Sequence, residues 1–145
     1  MHIKSYPSIL YFGTPVVLIS TKNPDGTSNL APISSIFWLG WRCMIGLGAS
    51  SQTAQNLLAT KEAVLNLPSV NEAKAVNLLA KTTGSNPVPP SKILKGYRFE
   101  KNKFEIAGLT ATPQPKPLMP HGLTSALCKW KLSLWACINW RKTNL

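Results

Sequence analysis

Residues 14–35 read TPVVLISTKNPDGTSNLAPISS. Thr14 to Lys22 is compact and rich in β-branched residues, which suit the pleated, half-buried surface of a strand. Pro24-Asp25-Gly26-Thr27 is a turn signal, with Gly26 placed to take a positive φ at no steric cost. A second strand from Ser28 to about Phe37 completes the hairpin. Pro32 lies inside it and has no N–H for a ladder, so this strand is expected at a sheet edge or with a bulge.

Outward from the hairpin, Arg42 to Gly48 reads as a third strand. Ala49-Ser50-Ser51-Gln52-Thr53 opens a helix through Thr60, with Ser51 as N-cap. Ala63 to Leu67 is a fourth strand. Ser69 to about Thr83 is a second helix with Ala73, Val76, Leu79 and Ala80 on one face. Gly84 to Pro90 is a loop that adjacent prolines hold extended. A helical turn is expected at Ile93-Leu94 and extended chain from Tyr97 to Ile106. Short turns join the first three strands, so the expected class is mainly β with helices, an antiparallel barrel. Neither GxGxxG nor a Walker motif occurs, which excludes the common nucleotide folds.

A chain of 145 residues is one domain by length. The net charge of +11 taken alone suggests a polyanionic partner. The charge is uneven: all five acids and 11 of the 16 Lys and Arg lie in residues 1–115, while residues 116–145 hold five cations and no acid. That last stretch also carries three of the five Trp. Cys43, Cys128 and Cys137 have no metal-ligand spacing, and the amino-terminal stretch is too polar for a secretory signal. A cytoplasmic protein with neither membrane span nor metal is expected.

No catalytic triad is legible, and the acids Asp25, Glu62, Glu72, Glu100 and Glu105 show no paired spacing, so no catalytic residue is assigned. Any redox chemistry would belong to a bound cofactor. Ser50-Ser51-Gln52-Thr53 sits at a strand-to-helix junction, where free backbone N–H groups suit a phosphate. Plain N-capping explains the same residues. Asn29 to Ser35, small and broken by Pro32, lets a flat ligand approach the backbone; a guarded edge strand is the alternative.

These clusters also carry a resemblance. Tyr11-Phe-Gly-Thr-Pro-Val-Val-Leu-Ile-Ser-Thr21 and Asp25-Gly-Thr-x-Asn-Leu-Ala-Pro-x-Ser-Ser35 resemble the flavin reductase-like FMN-binding split barrels, the group that includes flavoredoxin. Gly46-Leu-Gly-Ala-Ser-Ser-x-Thr-x-x-Asn-Leu57, Ala63-Val-Leu-Asn-Leu-Pro68, Thr82-Thr-Gly-Ser85 and Lys95-Gly-Tyr-x-x-Glu100 extend it over about residues 8–115. The resemblance implies a homodimeric, six-stranded barrel with FMN at the subunit interface and electrons from NAD(P)H. It implies Ala31, Pro32, Ser34 and Ser35 beside the flavin ring. It also implies Ser50, Ser51 and Thr53 at the phosphate, with Asn56 and Asn66 as supporting contacts. Many relatives carry Lys where this chain has Gln52; the amide keeps a donor but loses the charge, so either FMN is held less tightly or another cation compensates.

The resemblance stops near Pro115, and residues 116–145 are expected to be an out-of-frame translation. In the shifted frame Met119-Pro120 forces Ala, Trp130-Lys131 forces Glu and Trp135-Ala136 forces Gly, while Cys128-Lys129 gives Gln or a stop. Those four match the spacing of A, E, G and Q in the family's pattern APRxxECPVQxEAxxxG. The barrel is therefore expected to be incomplete at its carboxyl end, with FMN held weakly or not at all. The function expected of the family is an FMN oxidoreductase of flavin reductase type. A non-catalytic flavin-binding protein is the alternative from another class. A basic nucleic-acid-binding module is a third, for which no interleaved aromatic and basic motif exists.

Overall fold

The computed structural model describes residues 13–39, 42–112, 122–123 and 128–133. The quoted hairpin forms as read. β1 (Val17–Lys22) pairs antiparallel with β2 (Ser28–Ile33), from Val17 opposite Ile33 to Lys22 opposite Ser28. Between them Gly26 has φ 84°, and its N–H donates to the Asn23 carbonyl at 3.0 Å. The Asp25 carboxylate accepts from the Thr27 hydroxyl and N–H, which holds its carboxyl below the usual range. As Pro32 requires, β2 is the edge of its sheet.

The second strand is shorter than expected. It stops at Ile33, and after Ser34-Ser35 the chain starts β3 (Ile36–Leu39), which pairs with β4 (Arg42–Ile45) in a sheet of its own. The helix α1 (Gln52–Thr60) follows, and the Ser51 hydroxyl accepts from the Ala54 N–H at 3.2 Å. It ends at Lys61, whose left-handed φ of 58° lets its N–H reach the Leu57 carbonyl. β5 (Glu62–Leu67) returns beside β1.

The expected helix from Ser69 to Thr83 is cut at both ends. Ser69 and Glu72 form a capping box over a 3₁₀ turn (Val70–Glu72), and only Ala73–Leu79 is α-helical (α2). The tighter 3₁₀ winding rotates the helix's phase. Ala75 and Leu79 are buried and Val76 half-buried, whereas Ala73 and Ala80 are exposed. The Thr82 hydroxyl donates to the Leu79 carbonyl at 2.8 Å, and Thr82–Thr83 becomes β6. After α3 (Pro90–Ile93), β7 (Arg98–Phe99) pairs with β6 in parallel.

Tyr97 to Ile106 is not extended as expected: beyond β7 it winds into α4 (Lys103–Ile106). The reason is packing. Phe104, Ile106 and Leu109 rest on a cluster of Leu18, Leu30, Ala75, Leu79 and Ala107. The other face of the sheet carries Val17, Ile19, Ile36, Leu57, Ala63 and Leu65. The period-two alternation of Val17, Leu18 and Ile19 thus feeds two cores. Each fully buried Val, Leu or Ile side chain there contributes about 1.5–3 kcal/mol. β8 (Ala111–Thr112) pairs with β9 (Gly122–Leu123), and β10 (Cys128–Ser133) pairs antiparallel with β5, completing the sheet order β10-β5-β1-β2. Of the stretch expected to be out of frame, only β9 and β10 lie within the described residues.

Candidate functional site

The end of β2 and the start of α1 border a cavity of about 280 Å³. One wall runs through Ala31–Ser35, Gly46–Gly48 and Ser51–Thr53; the other is Thr82–Gly84 with Lys92, Tyr97 and Lys103. The break after Ile33 places Ser34 and Ser35 on the cavity instead of in a ladder. Their neighbour is Gly46, where an added Cβ would lie 3.0 Å from the Ser35 Cβ. Small residues are needed there because the two chain segments approach closely.

Of the residues singled out in the sequence, Ala31, Pro32, Ser34, Ser35, Ser51 and Thr53 line this cavity. Ser50, Asn56 and Asn66 are not among its lining residues. Ser50 is exposed, and its carbonyl accepts from the Ser85 hydroxyl at 3.3 Å. Asn56 is buried one turn into α1 and donates to Thr21 Oγ1 at 3.0 Å and Asn23 Oδ1 at 2.8 Å. Asn66 is buried in β5 and donates to the Leu18 carbonyl at 2.8 Å, linking β5 to β1.

A buried polar chain runs behind the cavity. Gln52 Nε2 donates to Asn56 Oδ1 at 2.8 Å, and Asn29 Nδ2 donates to Thr53 Oγ1 at 3.0 Å. Both asparagines reach Thr21 Oγ1, so the hairpin and α1 share one network. No buried side-chain nitrogen or oxygen among the described residues lacks a partner. Such a network fixes side-chain positions because every member is satisfied.

Lys103, which the sequence reading did not select, is the site's main charge. It is 2% exposed, and its Nζ donates to Asn29 Oδ1 at 3.0 Å. Burial lowers its pKa to about 8; repulsion from Lys92 adds to this and Glu100 opposes it. Lys92 is half-buried, donates to Thr83 Oγ1 at 3.0 Å, and is also lowered by burial. Gly84 makes room for this arrangement, since a Cβ there would lie 2.5 Å from Asn29 Oδ1. Among the described residues no group of three His, Cys, Asp or Glu is placed to hold a metal.

The pocket thus joins an uncharged, small-residue floor to two desolvated ammonium groups beside a helix amino terminus. That donor set suits a flat ligand carrying a phosphate. The sequence model of the flavin reductase like domain matches residues 9–131. This chain belongs to the flavin reductase-like family. The match continues past Pro115 and takes in the first part of β10.

A curated relative, the uncharacterized protein YdfE of Bacillus subtilis (strain 168), is 38% identical over 114 residues, covering 79% of this chain and 55% of that protein. The chain therefore spans about half the length of that relative. Among solved structures, flavoredoxin of Desulfovibrio vulgaris (Miyazaki F) superposes with a TM-score of 0.72 at 17% identity, over 92% of this chain and 67% of that one. The 2-nitrobenzoate 2-nitroreductase NbaA of Pseudomonas fluorescens gives 0.67 at 19% identity, over 90% and 59%. Flavoredoxin from Methanosarcina acetivorans gives 0.70 at 12%, over 94% and 65%. At these identities the likeness is one of fold. The resemblance read from the motifs and the mainly β, split-barrel class both hold.

Proposed function

We propose that the pocket holds FMN and that the protein is an oxidoreductase of flavin reductase type, taking electrons from NAD(P)H. The single observation that carries the reading is the buried Lys103 ammonium at the end of a small-residue pocket. A desolvated cation whose hydrogen bond goes to a neutral amide, as that of Lys103 goes to Asn29, gains from an anionic ligand. FMN offers both a flat ring and a phosphate. Ser51, Thr53, Lys92 and Lys103 would hold the phosphate, and Ala31, Pro32, Ser34 and Ser35 would face the ring. Lys103 then supplies the positive charge that Gln52 lacks.

Bound flavin supplies the hydride-accepting chemistry, and the protein's part is to bind, orient and exclude water. The satisfied network through Asn29, Thr53 and Asn56 keeps the pocket wall in place as ligand enters. Among the described residues the cavity's ionisable side chains are Lys92, Tyr97 and Lys103, and the Glu100 carboxylate, which acts on Lys103, is not among the lining residues.

A homodimer in the cytoplasm is part of this reading. It is supported by Phe37 and Met44, which face each other across β3 and β4 and are 56% and 57% exposed. No helix among the described residues is long and apolar enough to cross a membrane. The out-of-frame origin of residues 116–145 remains a separate proposal, tested by the genomic reading frame. A strand beside β5 is compatible with either origin.

The test compares FMN with riboflavin, which differ by the phosphate alone, by fluorescence titration of residues 1–145. The expected result is at least about tenfold tighter binding of FMN, the value of one good charge-assisted contact. This ratio is readable even where absolute affinity is weak. Equal affinities would overturn the reading. NAD(P)H oxidation with added FMN then separates an enzyme from a binder.

A further inference from the structure

Between Glu72 and Glu100 the chain contains no acid, yet it carries Lys74, Lys81, Lys92, Lys95 and Arg98. The fold places the Lys81 and Lys92 ammonium groups over Tyr97 beside the pocket and runs the backbone of Lys95 and Arg98 next to Lys81. Lys81 Nζ lies 5.3 Å from the centroid of the Tyr97 ring and Lys92 Nζ lies 5.7 Å from it. Lys81 Nζ also donates to the Lys95 carbonyl at 2.9 Å, and the Arg98 N–H donates to the Lys81 carbonyl at 3.0 Å. Lys92 and Tyr97 line the cavity itself, so the cluster is continuous with the pocket. Lys81, Lys95 and Arg98 are exposed.

We propose that this lip, Lys81 over Tyr97 with Lys95 and Arg98 beside it, selects an electron donor that carries a 2′-phosphate, NADPH over NADH. The proposal rests on the nicotinamide-donor reading above. A site that selects the unphosphorylated nucleotide places a carboxylate on the adenosine ribose, which accepts from the 2′-hydroxyl and repels a phosphate. No carboxylate forms an ion pair with Lys81, Lys92, Lys95 or Arg98 among the described residues. The nearest acid in sequence, Glu100, accepts from the Asn102 N–H at 2.8 Å and acts on the buried Lys103. A 2′-phosphate brings close to two further negative charges at neutral pH, and the guanidinium fork of Arg98 suits its oxygens. Lys81 uses one N–H on the Lys95 carbonyl and retains others for a ligand. Over the Tyr97 ring Lys92 is half-buried at the cavity and Lys81 is exposed, where an anion can reach it.

The test uses two inert fragments, 2′-phospho-ADP-ribose and ADP-ribose, titrated calorimetrically into the full chain. Both carry the pyrophosphate, so their affinity ratio isolates the 2′ group. The expected ratio is about tenfold or more in favour of the phosphorylated fragment. In the double variant Lys81→Gln/Arg98→Gln it should fall to near one, and in Lys81→Arg/Arg98→Lys it should persist. The FMN-to-riboflavin ratio should stay unchanged in both variants, which reports separately on the flavin reading. A ratio near one in the unaltered chain would overturn the proposal. So would a ratio that survives the neutral double variant, or the absence of binding by both fragments up to millimolar concentration.

Discussion

The two walls of the pocket are built on different physics. The wall from β2 and α1 is neutral: Ala31 to Ser35, Gly46 to Gly48 and the capped start of α1 offer backbone, hydroxyls and close approach. The wall from α3 and α4 brings charge, with Lys92 and the buried Lys103. Neutral donors with satisfied partners set shape and orientation at little cost to the fold. A buried ammonium costs folding energy through desolvation, so its retention points to an anion that compensates it. Asn29 joins the walls, accepting from Lys103 and donating to Thr53.

The strongest way to break this contrast is Lys103→Gln. The amide keeps a donor toward Asn29 and removes the charge. FMN should lose roughly 10- to 100-fold in affinity, as expected for a charge-assisted contact. Riboflavin should change little, since it has no phosphate to lose. An equal loss for both ligands would mean that Lys103 shapes the ring site and the division into walls is wrong.

Gly84→Ala attacks the junction. Its Cβ would press on Asn29 Oδ1, the atom that accepts from Lys103. Overpacking of this kind costs about 1–3 kcal/mol of stability. Chemical denaturation should show that loss, and FMN affinity should fall with it. Unchanged stability would mean that the Asn29 side chain is free to turn away.

A smaller, continuous effect comes from pH. With its pKa held at about 8, Lys103 loses its charge as pH rises through that value. FMN affinity should therefore decline above pH 8, by up to about tenfold per unit, and Lys103→Gln should abolish the slope. Without ligand the sign reverses. The unfolded chain keeps this proton up to about 10.5 and the folded chain does not, so folding stability gains from this group as pH rises from about 8 toward 10.5.

The neutral wall was legible in the sequence and the charged wall was not, for a physical reason. β1, the Gly26 turn and the Ser51 cap depend on neighbouring residues, so their patterns are local. That the charge missing at Gln52 leaves either a weaker site or a cation placed elsewhere was legible too, but not which, nor the cation's position. Lys103 reaches Asn29 across 74 positions of chain, and it does so only because α4 is helical. Tyr97 to Ile106 looks extended through its scattered aromatic and apolar residues. The usable signal was the i, i+4 pair of Lys103 and Ala107, which the fold buries to 2% and 7% exposure.

Ser50 offers the finest cut between local pattern and placement. The sequence ranks it with Ser51 and Thr53 as a phosphate ligand, since all three flank one helix start. The fold gives each a different position. Thr53 is buried against Asn29, and Ser51 caps the helix at the cavity edge. Ser50 is exposed, is not among the cavity's lining residues, and has its carbonyl turned to Ser85. Ser50→Ala removes only the hydroxyl and leaves that carbonyl bond in place. Stability should change by less than about 0.5 kcal/mol, as for surface substitutions outside a cap or network. FMN affinity should change less than about twofold, while Thr53→Val, which removes the acceptor of a buried asparagine, should weaken binding several-fold. If Ser50→Ala weakened FMN as much as Thr53→Val does, the phosphate would extend beyond the cavity toward solvent. The neutral wall would then carry part of the recognition assigned here to Lys103.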